Sequence, residues 1–436
     1  MKQIKLIINE FGPIKNQIIQ IAPFMIFTGF SNLGKSYVNY LMYYFFSAFT
    51  EGRIHNLILP KVNRKSSDKI EFSLTINELR FWLNENAQQF MREFLGDAHL
   101  TCDVNFDFAL DNQDELKVVF ERNVIPDEII GLLKNNETWN GFTFSNVIIN
   151  GEVVVKNGMS PSGDTYLLTR GIKTYLQNNL FGTTLSKSVI LPPARGAYVG
   201  ETFTTKEGIA TATGMFRLFL RDFDLAVSSH FPLENNADQQ FFASQIKNLV
   251  NGELVSEKGI QYLVLKNGKK IPITASASSI KELCPLLFYI KNWSDAKLSI
   301  CFEEPEAHLH PEMQMGVANL LAAVKNKGSY IQLTTHSDYF LQRINQLIKL
   351  GFIRKFSEEK FKNLCKEKNL NSRFYLDADT IKAYYFDNGT DSNTRITELK
   401  IEKHGIPFTT FFSSVNKMQI NEDYINDIID DYGIEM

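Results

Sequence analysis

Eight residues at positions 29–36, GFSNLGKS, constrain this chain more than any other part of its sequence. They form the pattern GxxxxGKS, in which the glycines allow a tight loop whose backbone N–H groups can surround phosphate oxygens. In such a loop the lysine reaches the terminal phosphates, and the hydroxyl of the next residue coordinates Mg²⁺. The pattern therefore predicts a phosphate-binding loop that consists of Gly29, Phe30, Ser31, Asn32, Leu33, Gly34, Lys35, Ser36 and Tyr37.

The residues on either side of this loop have the patterns that it requires. Residues 24–28 form an apolar run that predicts a strand, and the apolar run at 37–49 predicts a buried helix. The second run is too short to cross a bilayer, and it contains Asn39. A helix that begins directly after the loop adds positive potential at the phosphate position.

Both ends of the chain alternate strands with helices, which indicates a mostly parallel sheet covered on both faces. Two strands at 4–8 and 17–21, joined by a turn at Gly12-Pro13, precede the loop. In the second half, apolar strands at 298–302 and 330–334 are each followed by a helical pattern.

The middle of the chain has a different pattern. A long amphipathic helix near 76–95 is accompanied by short alternating strands, as in an α+β insertion. We therefore divide the chain into a first part of a nucleotide-binding unit at 1–50, an insertion at 51–185, and a second part of that unit at 186–436 that includes a C-terminal extension. The insertion is a candidate docking region for a partner.

Acidic side chains follow the strand at 298–302, in the order Glu303-Glu304-Pro305-Glu306. Carboxylates at the C-terminal end of a buried parallel strand lie where sheets of this class bind ligands. A phosphate-loop ATPase needs one acid there for Mg²⁺ and another that orients the attacking water. Glu303 and Glu304 can divide these two roles, although such a cluster by itself is also typical of a solvated loop.

Histidines follow both predicted strands. His308 and His310 have the spacing of metal ligands, but no third ligand is evident, so a zinc site is not predicted. His336 follows the strand at 330–334. It can contact a terminal phosphate, or it can be a histidine of the core or of a helix cap.

The order of the segments FGPIK, GFSNLGKS, SASSIKEL, ICFEEPEAHLHP and TTHS resembles the ABC-type ATPases related to SMC proteins. In particular, it resembles the bacterial AAA-like branch that includes the OLD nucleases and many phage-defence ATPases. The resemblance covers residues 1–50 and 186–350. It implies an α/β P-loop ABC-type ATPase head with a mostly parallel central sheet, an N-terminal antiparallel strand layer and an α+β insertion.

The resemblance also implies roles for individual residues. Lys35 and Ser36 take the positions of the loop lysine and the magnesium ligand, and Glu303 takes that of the acid on the metal side. Glu304 is then the catalytic base or the residue that orients water, and His336 is the switch histidine. The signature segment at 276–282 would present Ser278 and Ser279 to the nucleotide of a second head, although a serine cap of the following helix explains Ser278 as well. Ser279 stands where glycine is common in the family, which puts the rate of hydrolysis in doubt.

In this family two heads associate head-to-tail and enclose two ATP molecules. The implied cofactors are therefore ATP and Mg²⁺, and the implied partner is a second copy of the chain. The OLD nuclease domain is not expected here, because too little chain surrounds Asp377 and Asp379, which are better explained by a surface turn.

The charge and the cysteine content restrict the functions and the location that we expect for this chain. Lys and Arg number 46 against 49 Asp and Glu, a net charge of −3 that argues against an extensive nucleic-acid-binding surface but allows a local groove. The four cysteines form no CxxC pair, and the N-terminus lacks a signal peptide, so we expect a cytoplasmic protein without a membrane anchor.

Three functions remain in competition. The first is an ATP-driven switch in bacterial anti-phage defence, with a separate nuclease or toxin as effector. The second is an SMC-like ATPase of DNA maintenance or repair that binds DNA directly, and the absence of long coiled-coil heptads lowers its standing. The third, a transporter subunit, requires a membrane partner and a regular signature segment, and neither is supported.

Overall fold

A nine-stranded sheet runs through the part of the chain that the computed structural model describes, which is residues 3–62, 69–110, 114–122, 144–158, 164–199, 214–228, 237–389 and 393–407. In these residues the strands are β1 (Lys5–Phe11), β2 (Ile14–Gln20), β3 (Phe24–Gly29), β4 (Lys69–Thr75), β5 (Cys102–Asp107), β6 (Glu115–Glu121), β7 (Ser145–Ile149), β8 (Glu152–Gly158), β9 (Lys187–Leu191), β10 (Gly252–Glu257), β11 (Ile260–Leu265), β12 (Lys270–Pro272), β13 (Leu298–Glu303), β14 (Tyr330–Thr334), β15 (Ile381–Asn388) and β16 (Thr394–Leu399). The helices are α1 (Lys35–Thr50), α2 (His55–Ile58), α3 (Ile76–Leu95), α4 (Asp164–Phe181), α5 (Gly214–Ser228), α6 (Ala237–Leu249), α7 (Ser278–Asn292), α8 (Pro311–Asn326), α9 (Asp338–Phe356) and α10 (Glu358–Glu367).

The strand order of this sheet is β5-β1-β2-β16-β15-β3-β14-β13-β9. From β15 to β9 all neighbours are parallel, whereas β5, β1 and β2 pair antiparallel at the other edge. The predicted α/β fold, with a mostly parallel central sheet and an antiparallel layer from the N-terminus, is therefore confirmed.

The parallel part of the sheet is buried on both faces. All residues of β13 and β14 are buried, and in β3 only the last residue is partly exposed. A strand buried on both faces must be apolar along its whole length, which explains the continuous runs in the sequence. Helix α1 packs against β9, β13 and β14, so the helix after the phosphate loop lies on the centre of the sheet.

The middle of the chain forms a separate antiparallel sheet, in the order β4-β6-β7-β8. Helix α3 begins directly after β4 with a capping box, in which Thr75 and Glu78 satisfy each other's backbone N–H groups. Strand β5 leaves this region and pairs with β1 in the main sheet. The division of the chain at residues 51 and 185 stays a prediction.

Several predicted features lie partly or wholly outside the described residues. They are parts of the insertion predicted at 51–185 and the last part of the C-terminal extension, 408–436. In the described part of the chain, no helix combines the length and the apolar character that a bilayer crossing requires.

Candidate functional site

The loop at 29–36 connects β3 directly to α1, as its sequence pattern predicts. Gly29 has a φ of 120°, and a β-carbon there would lie 2.2 Å from the carbonyl oxygen of Phe386 on the neighbouring strand. Gly34 precedes α1 in the left-handed conformation, with a φ of 84°. Both positions require glycine, one because the backbones approach closely and one because its conformation disfavours a side chain.

Lys35 extends along the inside of this loop. Its ammonium group donates hydrogen bonds to the carbonyl oxygens of Gly29 and Phe30, and the residue is only 5% exposed. Burial lowers the pKa of Lys35 to about 8, and the nearby carboxylates of Glu303 and Glu304 oppose this shift. The lysine therefore lies buried within the loop, with its ammonium group directed at the loop backbone, which suits a site for phosphate.

Glu303, the last residue of β13, lies against the first turn of α1. Its carboxylate accepts hydrogen bonds from Ser36 Oγ at 2.6 Å, Asn39 Nδ2 at 2.7 Å and Thr334 Oγ1 at 3.0 Å. Burial raises the pKa of Glu303, and these three hydrogen bonds oppose the rise. Strand β13, helix α1 and strand β14 thus hold this carboxylate beside two hydroxyl groups and one side-chain amide.

Glu304 differs from its neighbour because the strand has ended. Its φ is 45°, an uncommon conformation for a residue with a side chain, and the side chain is exposed. The backbone N–H donates to Thr334 Oγ1 at 3.2 Å. The two adjacent glutamates therefore occupy different environments, one buried against α1 and one facing the cavity described below.

Glu306 connects the acidic segment to the end of β14. Its carboxylate accepts from the backbone N–H of His336 at 2.7 Å and from Thr335 Oγ1 at 2.9 Å. Burial lowers the pKa of His336, and the charge of Lys35 lowers it further, so the imidazole is neutral at pH 7. Glu306 thus fixes the backbone position of this histidine.

These elements enclose a cavity of about 430 Å³. Its lining residues are Pro13, Ser31, Asn32, Gly34, Lys35, Ser36, Tyr37, Glu304, Thr334 and His336. The structure thereby brings the loop, the acidic strand end and the histidine together, although they are far apart in the sequence. Three of the predicted loop residues do not line the cavity. Gly29 lies at the start of the loop, Phe30 is 50% exposed, and Leu33 packs against the core.

Ser278 and Ser279 do not line this cavity. They begin α7, whose N-cap is Ala277 without a hydrogen bond from its side chain. The serine cap that would explain Ser278 is therefore absent, and the first N–H groups of α7 lack a side-chain partner at the cap position. Ser278 is exposed, so this helix N-terminus is open to a group from outside the chain.

Ser36, which lines the cavity, and Glu303, which lies behind it and accepts its hydrogen bond, are the residues that would hold a divalent cation. Hydroxyl and carboxylate oxygens are the donors that Mg²⁺ prefers, and Mg²⁺ takes its remaining ligands from phosphate and water. In the described residues no group of three or more His, Cys, Asp and Glu side chains is placed to hold a metal. His310 instead caps α8 by accepting from the backbone N–H of Glu312.

Three residues that shape the site were not singled out from the sequence. Asn39 and Thr334 hold Glu303, and Glu306 holds His336. No local pattern marks these contacts, because each joins elements from distant parts of the chain. Asp377 and Asp379 lie in a short 3-10 turn, where Asp379 forms an ion pair with Lys355.

Comparison with known proteins supports an ATPase. The AAA ATPase domain family matches residues 220–341, a segment that contains the acidic strand end and His336. The match covers less than half of the chain. No curated protein matches the sequence.

Solved structures with a similar arrangement include three SMC heads. One, the SmcHead bound to the C-winged helix domain of ScpA, has 15% identity and a TM-score of 0.39, and the alignment covers 92% of this chain and 98% of that one. A second, with an extended coiled coil and bound to the C-terminal domain of ScpA derived from Pyrococcus furiosus, has 14% identity, a TM-score of 0.37 and coverages of 97% and 98%. The SMC head domain from Thermotoga maritima has 10% identity, a TM-score of 0.35 and coverages of 92% and 100%.

Proposed function

We propose that the chain is a cytoplasmic, magnesium-dependent ATPase that acts as a dimerising conformational switch in bacterial anti-phage defence, together with a separate effector protein. The observation that carries the ATPase part is the cavity in which Lys35, Ser36, Glu304 and His336 meet. The defence role rests on the sequence resemblance of the segment ICFEEPEAHLHP to ATPases of that branch.

Five residues at or directly beside the cavity have a chemical task in this proposal. Lys35 and the N–H groups of its loop bind the phosphates of ATP, and Ser36 and Glu303 hold Mg²⁺. When bound, Mg²⁺ supplies charge neutralisation on the terminal phosphates. Glu304 accepts a proton from the attacking water or orients it, and neutral His336 donates a hydrogen bond to the terminal phosphate.

The position of Ser278 and Ser279 supports the dimer in this proposal. In one chain they lie outside the cavity, at an exposed helix N-terminus without a side-chain cap. A helix N-terminus attracts anions through its free N–H groups and its dipole. In a head-to-tail pair this end of α7 contacts the terminal phosphate held by the partner subunit, so ATP bridges the two copies. Loss of that phosphate removes the bridge and favours opening.

ATP affinity is expected to fall as the pH rises above about 8. In the free chain the pKa of Lys35 is about 8, and bound phosphate favours the protonated form. Above this pH, binding must therefore take up a proton, which weakens it by at most about tenfold for each pH unit. Binding of a fluorescent ATP analogue between pH 7 and 9.5, with circular dichroism as a check on folding, measures the slope. An affinity that stays constant to pH 9.5 contradicts the assigned role of Lys35.

The switch proposal is tested by what associates with the ATP-bound state. Tagged Glu304→Gln protein is purified from its native host with Mg-ATP, and Lys35→Ala protein is the matched control. We expect a dimer by analytical ultracentrifugation and a second protein in fixed stoichiometry, both lost in Lys35→Ala. The second protein must rebind when it is purified separately.

The SMC-like alternative predicts a different result in the same experiment. DNA then co-purifies without a second protein, and its binding weakens steeply as salt is raised. That outcome would mean that the ATP-bound state binds DNA and not an effector protein. A monomer in both variants, with neither partner, contradicts the switch in either form.

A further inference from the structure

Arg195 is a fully buried cation that lies outside the nucleotide cavity. It follows β9 and begins a short 3-10 helix, Arg195–Tyr198, and its exposed fraction is 0%. A buried charge is costly unless it is paired and hydrogen-bonded, so the contacts of this guanidinium indicate what it stabilises.

On one side, Arg195 binds the backbone at the end of β13. Its Nη1 donates to the carbonyl oxygen of Glu303 at 2.8 Å, and its Nη2 is 3.4 Å from that of Glu304. The guanidinium also lies over the ring of Phe302, 4.5 Å from the ring centroid. These contacts involve Phe302, Glu303 and Glu304. At these residues β13 ends and the backbone takes the positive φ of Glu304.

On the other side, Arg195 binds α7. Its Nε donates to the carbonyl oxygen of Glu282 at 2.9 Å and lies 3.6 Å from the carboxylate of the same residue. The next backbone N–H, that of Gly196, donates to Glu282 Oε1 at 3.1 Å. Glu282 is one helical turn from Ser278, so the two lie on the same face of α7.

The guanidinium is therefore a rigid connection between two elements. Its donors are fixed in one plane, so a shift of α7 changes the bonds to the strand end as well. Burial lowers the pKa of Arg195 to about 10, against the opposing effect of Glu282 and the other nearby carboxylates. The side chain thus stays protonated at neutral pH and keeps its bonds on both sides.

We propose that Arg195 is a positioning residue that couples the N-terminus of α7 to Glu304. This rests on the proposed function, because the group that acts on α7 is the terminal phosphate held by the partner subunit. When that phosphate engages Ser278, the connection through Glu282 and Arg195 sets the backbone of Glu304 for hydrolysis. Arg195 itself does not line the cavity.

The test compares kcat and KM for ATP in Arg195→Gln and Arg195→Lys. A displacement of about 1 Å at a catalytic group costs roughly a hundredfold in rate, so we expect that loss of kcat in Arg195→Gln. KM stays near the wild-type value, because Arg195 does not line the cavity. Arg195→Lys keeps the charge without the planar donors, and we expect it to recover only part of kcat.

Gly196→Ala provides a second variant that removes no charge. A β-carbon at Gly196 would lie 2.7 Å from Glu282 Oε1, so the carboxylate must move while Arg195 remains. Gly196 is not among the glycines with positive φ, so alanine suits its backbone. We expect kcat to fall at constant KM, by less than in Arg195→Gln. If Arg195→Gln does not fold, the result with Gly196→Ala tests the coupling.

Hydrogen exchange of nucleotide-free protein adds a readout that does not depend on activity. Peptides over 300–310 and over 276–284 should both exchange faster in Gly196→Ala and Arg195→Gln. Unchanged exchange, an unchanged kcat, or a KM that rises while kcat is kept overturns the coupling. A wild-type chain that hydrolyses no ATP overturns the proposed function with it, whereas an active wild type with an unaffected Gly196→Ala overturns the coupling alone.

Discussion

Glu304→Gln is expected to lower ATP turnover by about a hundred- to a thousandfold while ATP binding is kept, because glutamine cannot accept a proton. The side chain is exposed toward the cavity, and its backbone is fixed by Thr334 and Arg195. Glutamine has nearly the same shape, so the loop and Lys35 should keep their positions.

The rate of phosphate release and the affinity for ATP are measured side by side for this variant. The matched control is Glu359→Gln, an exposed glutamate on α10, for which we expect wild-type turnover. If Glu304→Gln hydrolyses ATP at the wild-type rate, Glu304 is neither the base nor the residue that orients water.

Lys35→Ala is expected to abolish ATP binding in the usable concentration range. Hydrogen bonds to charged groups contribute about 1.5–3 kcal/mol each. The loss of two such contacts therefore raises Kd on the order of a thousandfold. The variant also removes the hydrogen bonds that Lys35 donates to Gly29 and Phe30, so the loop loses its internal support.

Isothermal calorimetry measures this effect, with Lys349→Ala as the control. Lys349 is exposed on α9, and its loss should leave Kd unchanged. Thermal unfolding of both variants shows whether the fold is kept. A Lys35→Ala protein that binds ATP with wild-type affinity contradicts a phosphate site at this loop.

The phosphate loop was predictable because its pattern is continuous in the sequence. Gly29 and Gly34 belong to the single pattern GxxxxGKS, and the apolar runs before and after it predict a buried strand and a buried helix. The end of β13 was also predictable, since five apolar or small residues are followed by carboxylates. Such patterns need no knowledge of the rest of the fold.

The contacts that complete the site were not predictable in the same way. Arg195 and Glu303 are joined across 108 positions, and Asn39 and Glu303 across 264. From the sequence alone, each of these side chains could pair with many others. The order of the strands in the sheet decides which of them become neighbours. The separation of Glu303 from Glu304 also depends on the positive φ that follows the strand, which the order of residues did not reveal.

The position of the C-terminal strands in the sheet was not predictable from the sequence either. Residues 381–386 predict a strand, but its neighbour is decided by the sheet as a whole. In the structure β15 lies beside β3, and its Phe386 contacts the loop at Gly29. A segment more than 350 residues away thus requires the first glycine of the phosphate loop.

The most direct test of the ATPase assignment is the Mg²⁺-dependent hydrolysis of ATP by the purified wild-type chain, measured beside Lys35→Ala and Glu304→Gln. We predict turnover by the wild type that needs Mg²⁺, with both variants at background. Hydrolysis by Lys35→Ala at the wild-type rate, or no Mg²⁺-dependent hydrolysis by the wild type, contradicts an ATPase site built on Lys35 and Glu304.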